Sequence, residues 1–242
     1  MIRNKTARAG GSRWRACSPF ALVCMLAAVS CLASGVPGHV TPLEAGPLQV
    51  GDPTKGAALA EKGVGTVASC VSCHGAHGEG YAASGAPRIA GQSFRYLRSQ
   101  LTKYATGMRR DPIMGAMAGA LTDAQRADVA AYYASLAIPR SGVTEQSGAQ
   151  LLARGAQLAR EGDPAHQVQA CASCHGADGM GTPPKAPYLA GQSAEYLTAA
   201  LKEWRDQQRD PGSKKAMAKV AHQLTEGDVT AVAVYFSRLT VR

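Results

Sequence analysis

Cys70-Val71-Ser72-Cys73-His74 and Cys171-Ala172-Ser173-Cys174-His175 are two copies of one pattern, C-x-x-C-H, set 101 positions apart. This is the attachment sequence of c-type haem. Two thiols three positions apart on a helical turn can both form thioethers with the vinyl groups of one porphyrin. The adjacent histidine then lies under the iron as proximal ligand. Four cysteines could also hold a structural zinc, but the pairs lie 98 positions apart and zinc pairs sit closer. A thioredoxin-like C-x-x-C needs a βαβ pattern around it, and none is visible. Both copies continue as Gly-Ala-x-Gly. Two covalent haems are therefore expected, held through Cys70, Cys73, Cys171 and Cys174. The other cysteines, Cys17, Cys24 and Cys31, all precede residue 36.

Comparing the chain with itself extends the repeat. Ala86-Pro87-Arg88-Ile89-Ala90-Gly91-Gln92-Ser93 falls on Ala186-Pro187-Tyr188-Leu189-Ala190-Gly191-Gln192-Ser193 at an offset of 100, and Tyr96-Leu97 falls on Tyr196-Leu197. Leu121-Thr122 falls on Leu224-Thr225 at 103, as does Tyr132-Tyr133 on Tyr235-Phe236. In that register Met114 falls on Met217, whereas Met117 falls on Val220 and Met108 on Pro211. Met180, five residues past His175, stays on the proximal side. The expected axial pairs are His74 with Met114 and His175 with Met217. A thioether is a soft ligand that favours ferrous iron and raises the reduction potential. His222 is the rival in the second half, but its repeat partner is Gly119, so bis-histidine ligation would be asymmetric. His77 reads as a loop residue, and His39 and His166 have no repeat-matched histidine.

Three main helices are predicted in each unit. The first follows Asp52-Pro53, an N-cap with proline in the first turn, and carries Ala57, Ala60 and Gly63. Its repeat places Leu151, Leu152, Gly155 and Leu158 at helical spacing. The second spans Ser93 to Thr106, with Phe94, Leu97, Leu101 and Tyr104 on one face. The third opens on Thr122-x-x-Gln125, a capping-box pattern, and buries Val129, Tyr132, Tyr133 and Leu136. Thr225 opens its counterpart, with Val229, Val232, Phe236 and Leu239. Small residues on the first helix would let the aromatic face of the third approach closely. A unit of about 90 residues has a marginal core of its own. Aromatics make up only 5% of the chain, so the haem supplies the missing large apolar body.

The ends and the charge fix the setting. Residues 1–35 combine Arg3, Lys5, Arg8, Arg13 and Arg15 with an apolar run from Pro19 to Ala33 and small residues at Ala33-Ser34-Gly35, the layout of a secretory signal peptide. The run is too short to span a membrane comfortably. Ala28-Val29-Ser30-Cys31 is a poor lipoprotein box, and no paired arginines precede the run. Of the net charge of +9 over 242 residues, five cations belong to this leader. No basic patch interleaved with aromatics remains, so no nucleic-acid partner is expected. Residues 51–140 carry 10 Lys and Arg against 6 Asp and Glu; residues 141–242 carry 11 against 10. The expected division is signal peptide 1–35, flexible lead-in 36–51, N-terminal haem domain 52–137, linker 138–147 and C-terminal haem domain 148–242.

In its C-x-x-C-H motifs, its two Pro-x-x-Ala-Gly-Gln segments and its methionine-to-Leu-Thr spacing, the chain resembles the dihaem cytochrome c4 family over roughly residues 52 to 242. The resemblance implies an all-α fold, a tandem duplication of the class I cytochrome c unit, each unit wrapped around one covalent haem. It implies His/Met ligation in each half and single-electron transfer between respiratory partners in the periplasm, from an upstream quinol-oxidising complex towards a terminal oxidase. Peripheral association with the membrane surface is also implied. It further suggests that the carbonyls of Pro87 and Pro187 accept from the outer nitrogens of the proximal histidines, fixing ring orientation. Gly91-Gln92 and Gly191-Gln192 read as turns into the second helix. Two other classes remain: a dihaem electron-transfer subunit of a dehydrogenase, and a dihaem enzyme (peroxidase or thiosulfate-oxidising). An enzyme needs an open iron position, and no spacing nominates a catalytic base or nucleophile.

Overall fold

A computed structural model describes residues 50–139, 148–183, 186–211 and 215–240. The leader, His39 and residues 140–147 of the expected linker lie outside them. The described residues are helical, with no named strand and a few isolated bridge pairs. The N-terminal half contains α1 (Pro53–Lys62), α2 (Val71–His74), α3 (Phe94–Ala105), α4 (Pro112–Ala120) and α5 (Asp123–Ser135). The C-terminal half repeats them as α6 (Ala149–Arg160), α7 (Ala172–His175), α8 (Ala194–Arg205), α9 (Ala216–Gln223) and α10 (Glu226–Arg238). No described helix is long and apolar enough to cross a membrane.

The helix starts follow the sequence signals. Asp52 caps α1 by accepting from the amides of Thr54 and Lys55, with Pro53 in the first turn. Thr122 and Gln125 form the reciprocal capping box of α5; Thr225 and Asp228 do the same for α10. Ser93 and Ser193 cap α3 and α8.

Each half holds four main helices rather than the predicted three. The additions, α4 and α9, carry the two candidate distal methionines. Pro-Ile-Met-Gly-Ala-Met-Ala-Gly-Ala has no alternation of apolar and polar positions, so a periodicity reading passes over it. The helix starts at Asp111, whose carboxylate accepts from the Met114 amide at 2.7 Å.

The cores lie where α1 crosses α5 and α6 crosses α10. Ala60, Leu97, Val129, Ala130 and Tyr133 form one cluster. Leu158, Leu197, Val229, Val232 and Phe236 belong to the other. Glycine permits the crossings: a Cβ on Gly56 would lie 2.1 Å from the Asp128 carbonyl oxygen, and one on Gly155 2.2 Å from that of Ala231. The aromatic pairs Tyr132–Tyr133 and Tyr235–Phe236 sit on the partner helices, with ring centroids 4.9 and 5.3 Å apart.

The two halves meet through a local two-fold arrangement of buried polar groups. The Gln92 side chain donates to the Tyr188 carbonyl and accepts from the Tyr188 amide. The repeat-equivalent Gln192 donates to the Arg88 carbonyl and accepts from the Arg88 amide. Arg109 donates to the Tyr196 hydroxyl, and Arg209 to that of Tyr96. Both arginines also donate to Gln100 and pair with Glu203. Arg109 and Arg209 face each other in an antiparallel bridge.

Candidate haem centres

Each C-x-x-C-H motif forms one tight helical turn. His74 and His175 donate their amides to the carbonyls of Cys70 and Cys171 at 3.0 and 2.9 Å. Gly75 and Gly176, at φ +84° and +79°, turn the chain out of that helix, a conformation only glycine adopts without strain. The four thiols are free; Cys73 and Cys174 are exposed, Cys70 and Cys171 half-buried. Burial pushes the Cys70 thiol up and that of Cys171 up to about 11.

Both histidines are buried, and both Nδ1 atoms lie 2.9 Å from a proline carbonyl oxygen, Pro87 for His74 and Pro187 for His175. A carbonyl only accepts, so each Nδ1 carries the proton and each Nε2 keeps a free lone pair. Burial pulls both imidazoles below the ordinary histidine range, against the opposing pull of the proline carbonyls. The rings are thus neutral, fixed in tautomer and ready to donate to a metal. The loop that supplies the carbonyl is held by Gly78, whose oxygen accepts from the Ile89 amide at 2.9 Å; Gly179 does the same for Leu189 at 2.8 Å.

A cavity of about 560 Å³ runs past both motifs. Cys70, His74 and Met114 border it from the N-terminal half; Cys171, His175 and Met217 border it from the other. Among the described methionines, Met108, Met117 and Met180 do not line it. His77 and His222 are exposed, and His166 is occupied with Asp163 at 3.0 Å. No group of three or more His, Cys, Asp or Glu among the described residues is placed to share a metal ion, which leaves the zinc reading without a site. The donor set in each half suits a c-type haem: two free thiols, one neutral imidazole and one thioether around an apolar space. The lining also contains Arg88, Arg109 and Arg209, all buried, a cationic border suited to the haem carboxylates.

The interface cations, and the roles of Gln92 and Gln192, were not anticipated from the sequence. Their signal was the repeat itself. Gln92, Tyr96 and Arg109 recur at 192, 196 and 209, and none is required by the attachment motif.

Comparison with known proteins shows the family. The family model for cytochrome c matches residues 54–137 and again 152–240. The thiosulfate dehydrogenase electron acceptor of Stutzerimonas stutzeri (strain A1501) is 39% identical over 177 residues, covering 71% of this chain and 79% of that protein. Cytochrome c4 of Pseudomonas aeruginosa is 34% identical over 182 residues, covering 74% and 88%. Among solved structures, reduced recombinant cytochrome c4 from Pseudomonas stutzeri superposes with a TM-score of 0.68 at 30% identity, covering 78% of this chain and 99% of that one. The thiosulfate dehydrogenase (TsdBA) of Marichromatium purpuratum superposes with a TM-score of 0.70 at 35% identity, covering 76% of this chain and 40% of that one.

Proposed function

This chain belongs to the cytochrome c family, as a dihaem member of the cytochrome c4 type with two covalent haems, and we propose that it accepts single electrons from a thiosulfate-oxidising dehydrogenase in the periplasm. It then passes them to further redox proteins, a terminal oxidase among them. The supporting observation is the similarity to two proteins named as thiosulfate dehydrogenase electron acceptors, at 39% and 38% identity, against 32–34% for the cytochromes c4. The periplasmic setting rests on the leader-like residues 1–35, and the division into units 52–137 and 148–242, joined by 138–147, rests on the repeat.

A haem held in each half would supply one-electron ferric–ferrous chemistry. Cys70 with Cys73, and Cys171 with Cys174, anchor the two porphyrins. His74 and His175 would bind the irons through Nε2, with Pro87 and Pro187 holding the rings against rotation. Met114 and Met217, which line the same cavity, would supply the thioether ligands. A histidine and a methionine on each iron would leave an outside molecule no place to bind, which favours a carrier over a peroxidase or a thiosulfate-oxidising enzyme. The buried two-fold interface fixes one half against the other, so two haems bound there would be held in a set relation.

The test mixes ferric holoprotein with thiosulfate and a catalytic thiosulfate dehydrogenase and follows the ferrous α-band. Reduction that requires both thiosulfate and the dehydrogenase supports the reading. Reduction by a quinol-oxidising complex alone, with none from the thiosulfate system, refutes the proposed donor. Turnover of thiosulfate by the cytochrome alone would make it an enzyme.

A further inference from the structure

Arg88 breaks the repeat at a sensitive place. It follows Pro87, the acceptor of the His74 bond, where the other half has Tyr188 after Pro187. Its side chain is only 3% exposed. Nη1 donates to the Ala90 carbonyl at 3.2 Å and Nη2 to the Ala190 carbonyl at 2.8 Å. Those two carbonyls are repeat equivalents, so a guanidinium bonded to both lies close to the local two-fold axis. Nε finds no acceptor among the described residues. Burial alone governs the charge of this group, lowering its pKa; no carboxylate acts on it. Arg88 also borders the cavity.

A buried cation with an unused N–H is costly unless an anionic acceptor reaches it. A haem offers carboxylates, the two propionates that take no part in thioether attachment. We propose that Arg88 is a shared anion-binding residue that takes a haem carboxylate and sets one fixed positive charge at the join of the two halves. Reduction lowers the charge on an iron by one, so a nearby cation favours the ferrous state. From a place near the axis, Arg88 raises both reduction potentials together.

This inference rests on the dihaem reading, so haem content per chain is measured first; fewer than two haems would refute that reading itself. Holoprotein variants Arg88→Gln, Arg88→Lys and Arg110→Gln are then titrated spectroelectrochemically and fitted with two midpoints. Both midpoints should fall in Arg88→Gln, stay near wild type in Arg88→Lys, and hold in Arg110→Gln, whose side chain is exposed and screened. Unmoved midpoints, movement of one alone, or an equal fall in Arg110→Gln would overturn the proposal. Reduced-minus-oxidised infrared spectra of wild type and Arg88→Lys give a second reading that needs no Arg88→Gln protein. Haem carboxylate bands should shift when ammonium replaces guanidinium, and unshifted bands would also overturn the assignment.

Discussion

The crossing of α1 and α5 sets up a test in which one substitution type has opposite signs at two sites. In Gly56→Ala the new Cβ would sit 2.1 Å from the Asp128 carbonyl oxygen, about 0.9 Å inside the 3.0 Å below which real Cβ contacts essentially never fall. The obstacle is backbone, so no flexible side chain can swing away; α1 must part from α5 along the core. Overpacking of this kind costs about 1–3 kcal/mol. For a domain of this size, ~1 kcal/mol moves Tm by about 4–8 °C. The N-terminal half should therefore melt roughly 5–20 °C lower. Because α5 also lends Val129, Ala130 and Tyr133 to the cavity wall, the haem of that half should lose its methionine–iron absorption first on warming. The control is Gly119→Ala on α4. No atom lies within 4 Å of the added methyl there, and the helical backbone accepts alanine, so about 0.5–1 kcal/mol should be gained. Circular dichroism melts and the near-infrared band, recorded on the same samples, read both. A Gly56→Ala protein that melts with wild type would refute the close crossing.

Three further outcomes are expected. Met114→Ala and Met217→Ala should each remove about half of the ferric methionine–iron charge-transfer band and open one ferrous iron to carbon monoxide, since each thioether closes one of two similar centres; a band unchanged in both variants rules out the ligand assignment. Hydrogen bonds from Arg154 and His166 hold the Asp163 carboxyl at about 2, below the unfolded value of about 3.9, so its contribution is complete above that value and is lost as pH falls towards 2. Acid titration of helix content should slope in that window and flatten in Arg154→Met. Glu203→Gln leaves the buried Arg109 and Arg209 guanidinium groups without their shared carboxylate, and breaking such a pairing costs roughly 3 kcal/mol; calorimetry should show a lower melt in which the two halves begin to separate.

The parts of the molecule that answer to short-range chemistry were readable before any coordinates. The thioether spacing, the caps at Asp52, Thr122 and Thr225, and the register joining Met114 to Met217 each depend on a few neighbouring residues, or on matching one copy with the other. The Pro87 and Pro187 bonds to the histidines were implied by the family resemblance, and both form in the protein. Helix α4 escaped because its stability does not come from amphipathic burial, and α9 because its eight residues are shorter than the window that a periodicity reading needs. Small apolar residues on all sides of α4 give no periodic stripe, and packing against α3 holds it in place. Gln92 and Gln192 escaped for another reason. Their glycine neighbours do make the turns that were expected, with φ of +71° and +68°, but each amide side chain completes its bonds about 100 residues away in the other half, a separation no local pattern encodes.

That shared interface also explains how a duplicated chain keeps its halves distinct. Its neutral members, Gln92 with Gln192 and Tyr96 with Tyr196, are common to both copies and would serve any pairing of halves. The charged members differ. Lys103 stands where the other half has Glu203, and Arg110 where it has Asp210. In the assembled chain Lys103 meets Asp210 at 2.8 Å, while Glu203 meets Arg109 at 2.9 Å. Two N-terminal halves brought together in the same way would set Lys103 against Arg110 and leave Arg109 without a carboxylate. Two C-terminal halves would set Glu203 against Asp210 and lack the Gln100 amide that both arginines use. Like charges opposed in a desolvated contact are strongly unfavourable, so the substitutions that break the repeat restrict the interface to one N-terminal and one C-terminal unit, and with it one haem of each kind.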